Sequence, residues 1–96
     1  MYLCYGMEDK MSVYVDPLGI FGGDNAPRCF QHKPSCHMYA DSLSELHTMA
    51  QKIGLISDWF QNERLQHYDL TPSKRSLAIM NGAIETSWEH MVRYMK

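Results

Sequence analysis

His67-Tyr68-Asp69-Leu70-Thr71-Pro72-Ser73-Lys74-Arg75 reads as a short strand running directly into the capped start of a helix, and the fold follows from extending that unit in both directions. Thr is a favoured N-cap because its hydroxyl accepts a free backbone N–H, and Pro is pre-organised for the first helical position. The first turn of such a helix leaves N–H groups unpaired and carries the positive end of the helix dipole. Ser73, Lys74 and Arg75 add a hydroxyl and two cations there. Acidic residues are the stabilising choice in a first turn, so two cations point to a bound anion such as phosphate. The competing reading is that Lys74 and Arg75 face solvent, or that one of them pairs with an acidic side chain elsewhere.

Toward the N-terminus, Val13-Tyr14-Val15 is β-branched and aromatic and stops at Asp16-Pro17, as a buried strand with a sharp end does. Residues 1–10 are irregular and read as an extension ahead of Met11. Residues 17–35 contain Gly19, Gly22, Gly23, Pro27 and Pro34 without helical or strand periodicity, and read as a long loop able to fold over a site. Cys36 to Ala40 gives a second strand. Ser42 with Glu45 then forms a capping box, Leu43, Leu46, Met49, Ala50 and Ile53 make an apolar stripe, and Gly54 supplies the stop. His47 sits at the edge of that stripe as a structural histidine.

Residues 55–66 fit either a short helix with an aromatic face, from Ile56, Trp59, Phe60 and Leu65, or an inward-packed loop. His67 to Leu70 is the third strand, and residues 72–81 the second helix, with Leu77, Ala78 and Met80 inward and Gly82 as its stop. Ala83 to Thr86 is a fourth strand. Thr86 with Glu89 repeats the capping box, and Trp88, Met91, Val92 and Met95 form a final amphipathic helix.

Strands separated by helices of about ten residues predict parallel pairing through crossovers. The expected architecture is a small α/β domain over residues 11–96, with a mostly parallel sheet of about four strands and two to three helices. Ligands of such sheets collect at the carboxyl ends of the strands, which here carry Asp16, Asp41 and the turn from Asp69 to Arg75.

The 96 residues fit one domain, and 45% hydrophobic with 21% charged residues is a globular composition. A net charge of −2 argues against a broad basic surface for nucleic acid, so any phosphate recognition is local. No apolar run approaches a membrane span and no leader is evident, which places the protein in the cytosol. Three cysteines give no disulfide framework, which agrees with a reducing compartment. A chain this short is expected to cover its apolar helix faces by forming a homo-oligomer.

Three constellations have chemical meaning. Cys29, His32, Cys36 and His37 have roughly zinc-like separations but lack a paired C-x-x-C, and adjacent Cys36 and His37 would point to opposite faces of a strand. Asp16, Asp41 and Asp69 at strand ends would suit Mg²⁺ and phosphoryl hydrolysis, whereas capping and turn roles for Asp41 and Asp69 need no metal. His37, His67 and Tyr68 offer acid–base groups without a nucleophile to serve. The reading adopted has no metal and no cofactor, with catalytic residues unassigned.

Met11-Ser12-Val13-Tyr14-Val15-Asp16, His37 with Ala40-Asp41, Glu45-Leu46-His47, Gly54, Trp59-Phe60-Gln61, His67-Tyr68-Asp69, Lys74-Arg75 and Gly82-Ala83 together resemble the bacterial and phage proteins catalogued as domain of unknown function 4031. The resemblance implies a bacterial host cytosol and marks His37, His47, Gln61, His67, Tyr68, Asp69, Lys74 and Arg75 as signature residues, with no activity attached. In a phage setting, a domain with a nucleotide-sized pocket suits a sponge that sequesters a host immune signal.

The functional expectation is therefore a non-catalytic or weakly catalytic domain that binds a phosphate-bearing small molecule, a nucleotide for preference. Thr71, Ser73, Lys74 and Arg75 would hold phosphate. His37, Gln61, His67, Tyr68 and Asp69 would supply polar contacts, and Trp59 or Tyr68 would stack on a base. Two rivals stay open: a metal-dependent phosphoesterase or nuclease, and an interaction module that inhibits a host enzyme through its final helix.

Overall fold

Strand alternation and burial place the elements. The computed structural model describes residues 12–20 and 33–96. The expected extension over residues 1–10, and Cys29 and His32 of the zinc reading, lie outside the described residues. β1 is Val13–Val15, both valines buried with Tyr14 half-buried between them. β2, Gly19–Ile20, and the start of β3, Pro34–Ala40, give paired strand to the two ends of the expected loop. α1 (Leu43–Lys52), a 3-10 turn (Ser57–Trp59), β4 (Gln61–Asn62), β5 (Gln66–Leu70), α2 (Pro72–Met80), β6 (Ile84–Glu85) and α3 (Trp88–Val92) follow.

The sheet runs β4-β5-β3-β1-β6, with β2 also against β3. It is mixed, not mostly parallel: β6 is parallel to β1, whereas β1–β3, β2–β3, β3–β5 and β4–β5 are antiparallel. The reason lies in β4. After α1 the chain re-enters the sheet in the direction of β3, as a crossover demands, but does so as the two-residue β4 and then hairpins back as β5. Residues 55–66, open in the sequence, thus divide into a 3-10 turn and this reversing strand. Only β5-α2-β6 keeps the predicted strand–helix–strand sense. Consequently the carboxyl ends of β1, β5 and β6 meet the amino-terminal part of β3 at one edge, and Asp41 lies past the opposite end of β3.

Side-chain alternation then assigns two faces. Val13, Val15, Cys36, Met38, Tyr68 and Leu70 form one core with Leu46, Met49, Ala50 and Ile53 of the α1 region and Ala78 of α2. The other face carries a smaller cluster of Tyr39, Leu65 and Met91, joined by Tyr14 and Tyr94. No helix among the described residues is long and apolar enough to cross a membrane.

Capping follows the sequence at two helices of three. Ser42 Oγ accepts the Glu45 N–H at 3.2 Å and Thr71 Oγ1 accepts that of Lys74 at 3.3 Å, while Gly54 and Gly82 take positive φ of 83° and 105° just past their helices. At α3 the cap is Ser87, accepting from His90 N, and not Thr86, whose hydroxyl instead bonds Val15 O and Tyr39. α3 buries Met91 alone, leaving Trp88, Val92 and Met95 exposed. On α2, Ala78 is buried, but Leu77 and Met80 turn outward, contrary to the expected inward stripe. With Ala78 packed on the sheet, neighbours one and two residues away are carried round the helix by its period.

Candidate functional site

Asp69 pairs directly with His37 across β3–β5, and His67 lies two residues before Asp69. Side chains two apart on a strand share a face, so the sheet itself brings His37, His67 and Asp69 together on the side away from α1 and α2. One donor atom from each lies within 4.8 Å of the others, and His67 Nε2 stands 3.4 Å from Asp69 Oδ1. Ligands of a tetrahedral ion at about 2.1 Å are themselves about 3.4 Å apart. The His67–Asp69 pair is already at that separation.

Behind each of these three groups stands a partner that fixes its orientation. Asp16 Oδ2 accepts from His37 Nδ1 at 2.7 Å, and its Oδ1 accepts the His37 backbone N–H at 2.7 Å. The Leu65 carbonyl accepts from His67 Nδ1 at 2.5 Å. Gln61, opposite His67 on β4, donates through Nε2 to Asp69 Oδ2. A carbonyl only accepts, so the proton of His67 sits on Nδ1 and the ligating nitrogen is Nε2. Asp69, with Oδ2 engaged, offers Oδ1. This is the outer-shell arrangement that metal-binding histidines and carboxylates characteristically have.

Without a metal the same geometry makes an ion pair. Burial pushes the His67 pKa down, but the Asp69 hydrogen bond, the Leu65 carbonyl and nearby negative charge outweigh it, and the net direction is up. Burial pushes Asp69 up, but hydrogen bonds from His67 and Gln61 prevail, and its carboxyl is held below the usual range. The His67 contribution to stability is full below its unfolded value of about 6.5 and fades as pH rises through the raised folded value; that of Asp69 is full above about 3.9 and fades as pH falls through the lowered one. The melting-temperature gap between the metal-free protein and His67→Gln should therefore be widest between about pH 4 and 6.5 and narrow on either side. Thermal scans across that range check it.

The residues expected to hold phosphate are distributed differently. Lys74 Nζ donates to the Ile53 carbonyl at 2.6 Å, closing the C-terminus of α1 beside Gly54. Arg75 donates through Nε to the Asp16 carbonyl at 3.0 Å and through Nη2 to Glu85 Oε1 at 3.3 Å. The two cations thus tie elements together, Arg75 pairing with an acidic side chain as the alternative in the sequence reading allowed and Lys74 bonding a backbone carbonyl instead. Thr71 caps α2, with Ser73 Oγ 3.3 Å from its hydroxyl. Tyr68 points into the helix-side core, its hydroxyl 2.8 Å from His47 Nδ1, while Phe60 packs against the His47 ring. Trp59 is half exposed on the 3-10 turn. Of the ten expected ligand-contacting residues, the structure gathers His37, Gln61, His67 and Asp69 on one face.

A charged hydrogen bond to a helix-terminal carbonyl contributes about 1–2 kcal/mol. Lys74→Ala should accordingly lower the melting temperature by about 5–10 °C in a domain of this size. A lysine kept only for an anion would leave the ligand-free melting point unchanged.

The acidic trio of the metal reading is also rearranged. Asp41, past the far end of β3, accepts from Ser12 N at 3.2 Å, Tyr14 Oη at 2.9 Å and Tyr94 Oη at 2.5 Å. Those bonds hold its carboxyl below the usual range against the opposing effect of burial. Asp16 stands behind His37 instead of beside Asp69. Cys36, on the opposite face from His37 as alternation required, is fully buried, and burial together with Asp16 pushes its thiol up to about 12. It is a core residue. The sequence signal for the observed cluster was His67-x-Asp69 on a strand; the contribution of His37 depends on the β3–β5 register.

A family model described as a protein of unknown function (DUF4031) matches residues 13–96, and the chain belongs to that family. Neither a curated protein nor a solved structure matches it.

Proposed function

We propose that this member of the family is a metal-dependent phosphoesterase whose divalent ion is held by His37, His67 and Asp69. The observation that supports it is the cluster in which each candidate ligand has its other polar atom already engaged. Two imidazoles and one carboxylate form a donor set for zinc and its first-row neighbours, and three protein ligands leave a position for water or substrate. When bound, an ion there would supply Lewis-acid chemistry, activating water and polarising a phosphoryl oxygen for hydrolysis of a phosphate ester, with His37, His67 and Asp69 holding it in place.

The test is chelator-stripped protein assayed with zinc or manganese on bis(p-nitrophenyl) phosphate and a nucleotide panel. Metal-dependent release of product supports the proposal. Metal-dependent binding with the nucleotide recovered intact would instead favour a sequestering domain, in which the same ion and residues hold the phosphate-bearing ligand without cleaving it.

A further inference from the structure

Asp16 is fully buried, and desolvating a carboxylate is costly unless its oxygens are matched by donors. Here both are matched by one residue: Oδ1 by the backbone N–H of His37 and Oδ2 by its ring Nδ1, each at 2.7 Å. The aspartate is itself held on both sides. Its N–H donates to the His37 carbonyl at 3.2 Å, and its carbonyl accepts from Arg75 Nε at 3.0 Å. Packing requires none of this, since a buried apolar side chain would fill the end of β1 without a desolvation penalty.

We infer that Asp16 is a positioning residue that fixes the tautomer of His37. A carboxylate has no proton to give, so the ring must carry hydrogen on Nδ1 and its lone pair on Nε2. That is the tautomer in which an imidazole held through Nδ1 can ligate a metal. The relevance to metal rests on the reading proposed above; the tautomer assignment rests on the two hydrogen bonds alone.

Asn at position 16 has the same shape but one acceptor and one donor. Its oxygen can keep the bond from the His37 backbone N–H, which turns its NH₂ toward Nδ1. The ring then accepts at Nδ1 and carries its proton on Nε2, where a metal would bind.

The experiment uses the full chain with ¹⁵N-labelled histidine, metal-free, at a pH well above the histidine range, followed by zinc titration. Wild-type His37 should show the Nδ1–H tautomer, and Asp16→Asn the Nε2–H tautomer with zinc affinity about 10–100-fold weaker, the effect typical of a lost outer-shell partner. A Nε2–H tautomer in the wild type overturns the inference whether or not the variant folds. So does an unchanged tautomer in a folded Asp16→Asn protein. If the tautomer switches as described but wild-type protein takes up no zinc, the positioning of His37 stands and the metal reading fails.

Discussion

His67→Ala should weaken zinc binding by more than about 100-fold, because losing an outer-shell partner alone costs about 10–100-fold and this change removes a ligand. The expected size follows from how little else is present to compensate. Among the described residues, His37, His67 and Asp69 are the group of three or more potential ligands drawn together on this face. Two remaining donors leave an ion largely aquated, and closed or catalytic zinc sites use three or four protein ligands. Asp69→Ala should have a comparable effect, whereas Asp41→Ala should leave zinc affinity unchanged, because Asp41 is committed to Ser12, Tyr14 and Tyr94 beyond the other end of β3. Isothermal titration with zinc on the three variants separates this centre from a trio of aspartates, which would lose affinity on substitution of Asp41. Any phosphoesterase activity should fall with zinc affinity in the first two variants and persist in the third.

The residues that made this centre were legible singly in the sequence, but their combination was not. Thr71-Pro72 fixed the start of α2, Ser42 and Glu45 the start of α1, and Gly54 and Gly82 the ends of both, since caps and stops are local chemistry. The direction of β5 was not local. It depends on a two-residue strand, Gln61–Asn62, too short to show any alternation. Once β4 reverses the chain, β5 lies antiparallel to β3, and the register sets Asp69 against His37. The partners of the α2 cations were hidden for a related reason: Lys74 reaches the carbonyl end of α1 and Arg75 the end of β1, separated from them by 21 and 59 residues. Asp16 and Asp41 looked equivalent as strand-end acids until antiparallel pairing sent them to opposite ends of the sheet.

Leu70→Ala should destabilise the protein by about 2–5 kcal/mol, while Leu77→Ala, only seven residues away, should cost well under about 1 kcal/mol. Leu70 is fully buried opposite Cys36, in the cluster that joins β1, β3 and β5 to α1 and α2, so truncation leaves a cavity between the sheet and the two helices. Leu77 faces outward from α2 with 39% of its surface exposed, and alanine is the better helix former. Total stability for a small domain is about 5–15 kcal/mol, so the first change removes a large share of it. Urea unfolding of both variants decides whether the α2 face is as described, because a helix that buried Leu77 in place of Ala78 would reverse the order. The comparison also bears on the centre. Leu70 follows Asp69 directly and shares its strand with His67, so a loosened β5 should weaken zinc binding in Leu70→Ala without any ligand being touched, and the loss should diminish under conditions that restore the fold.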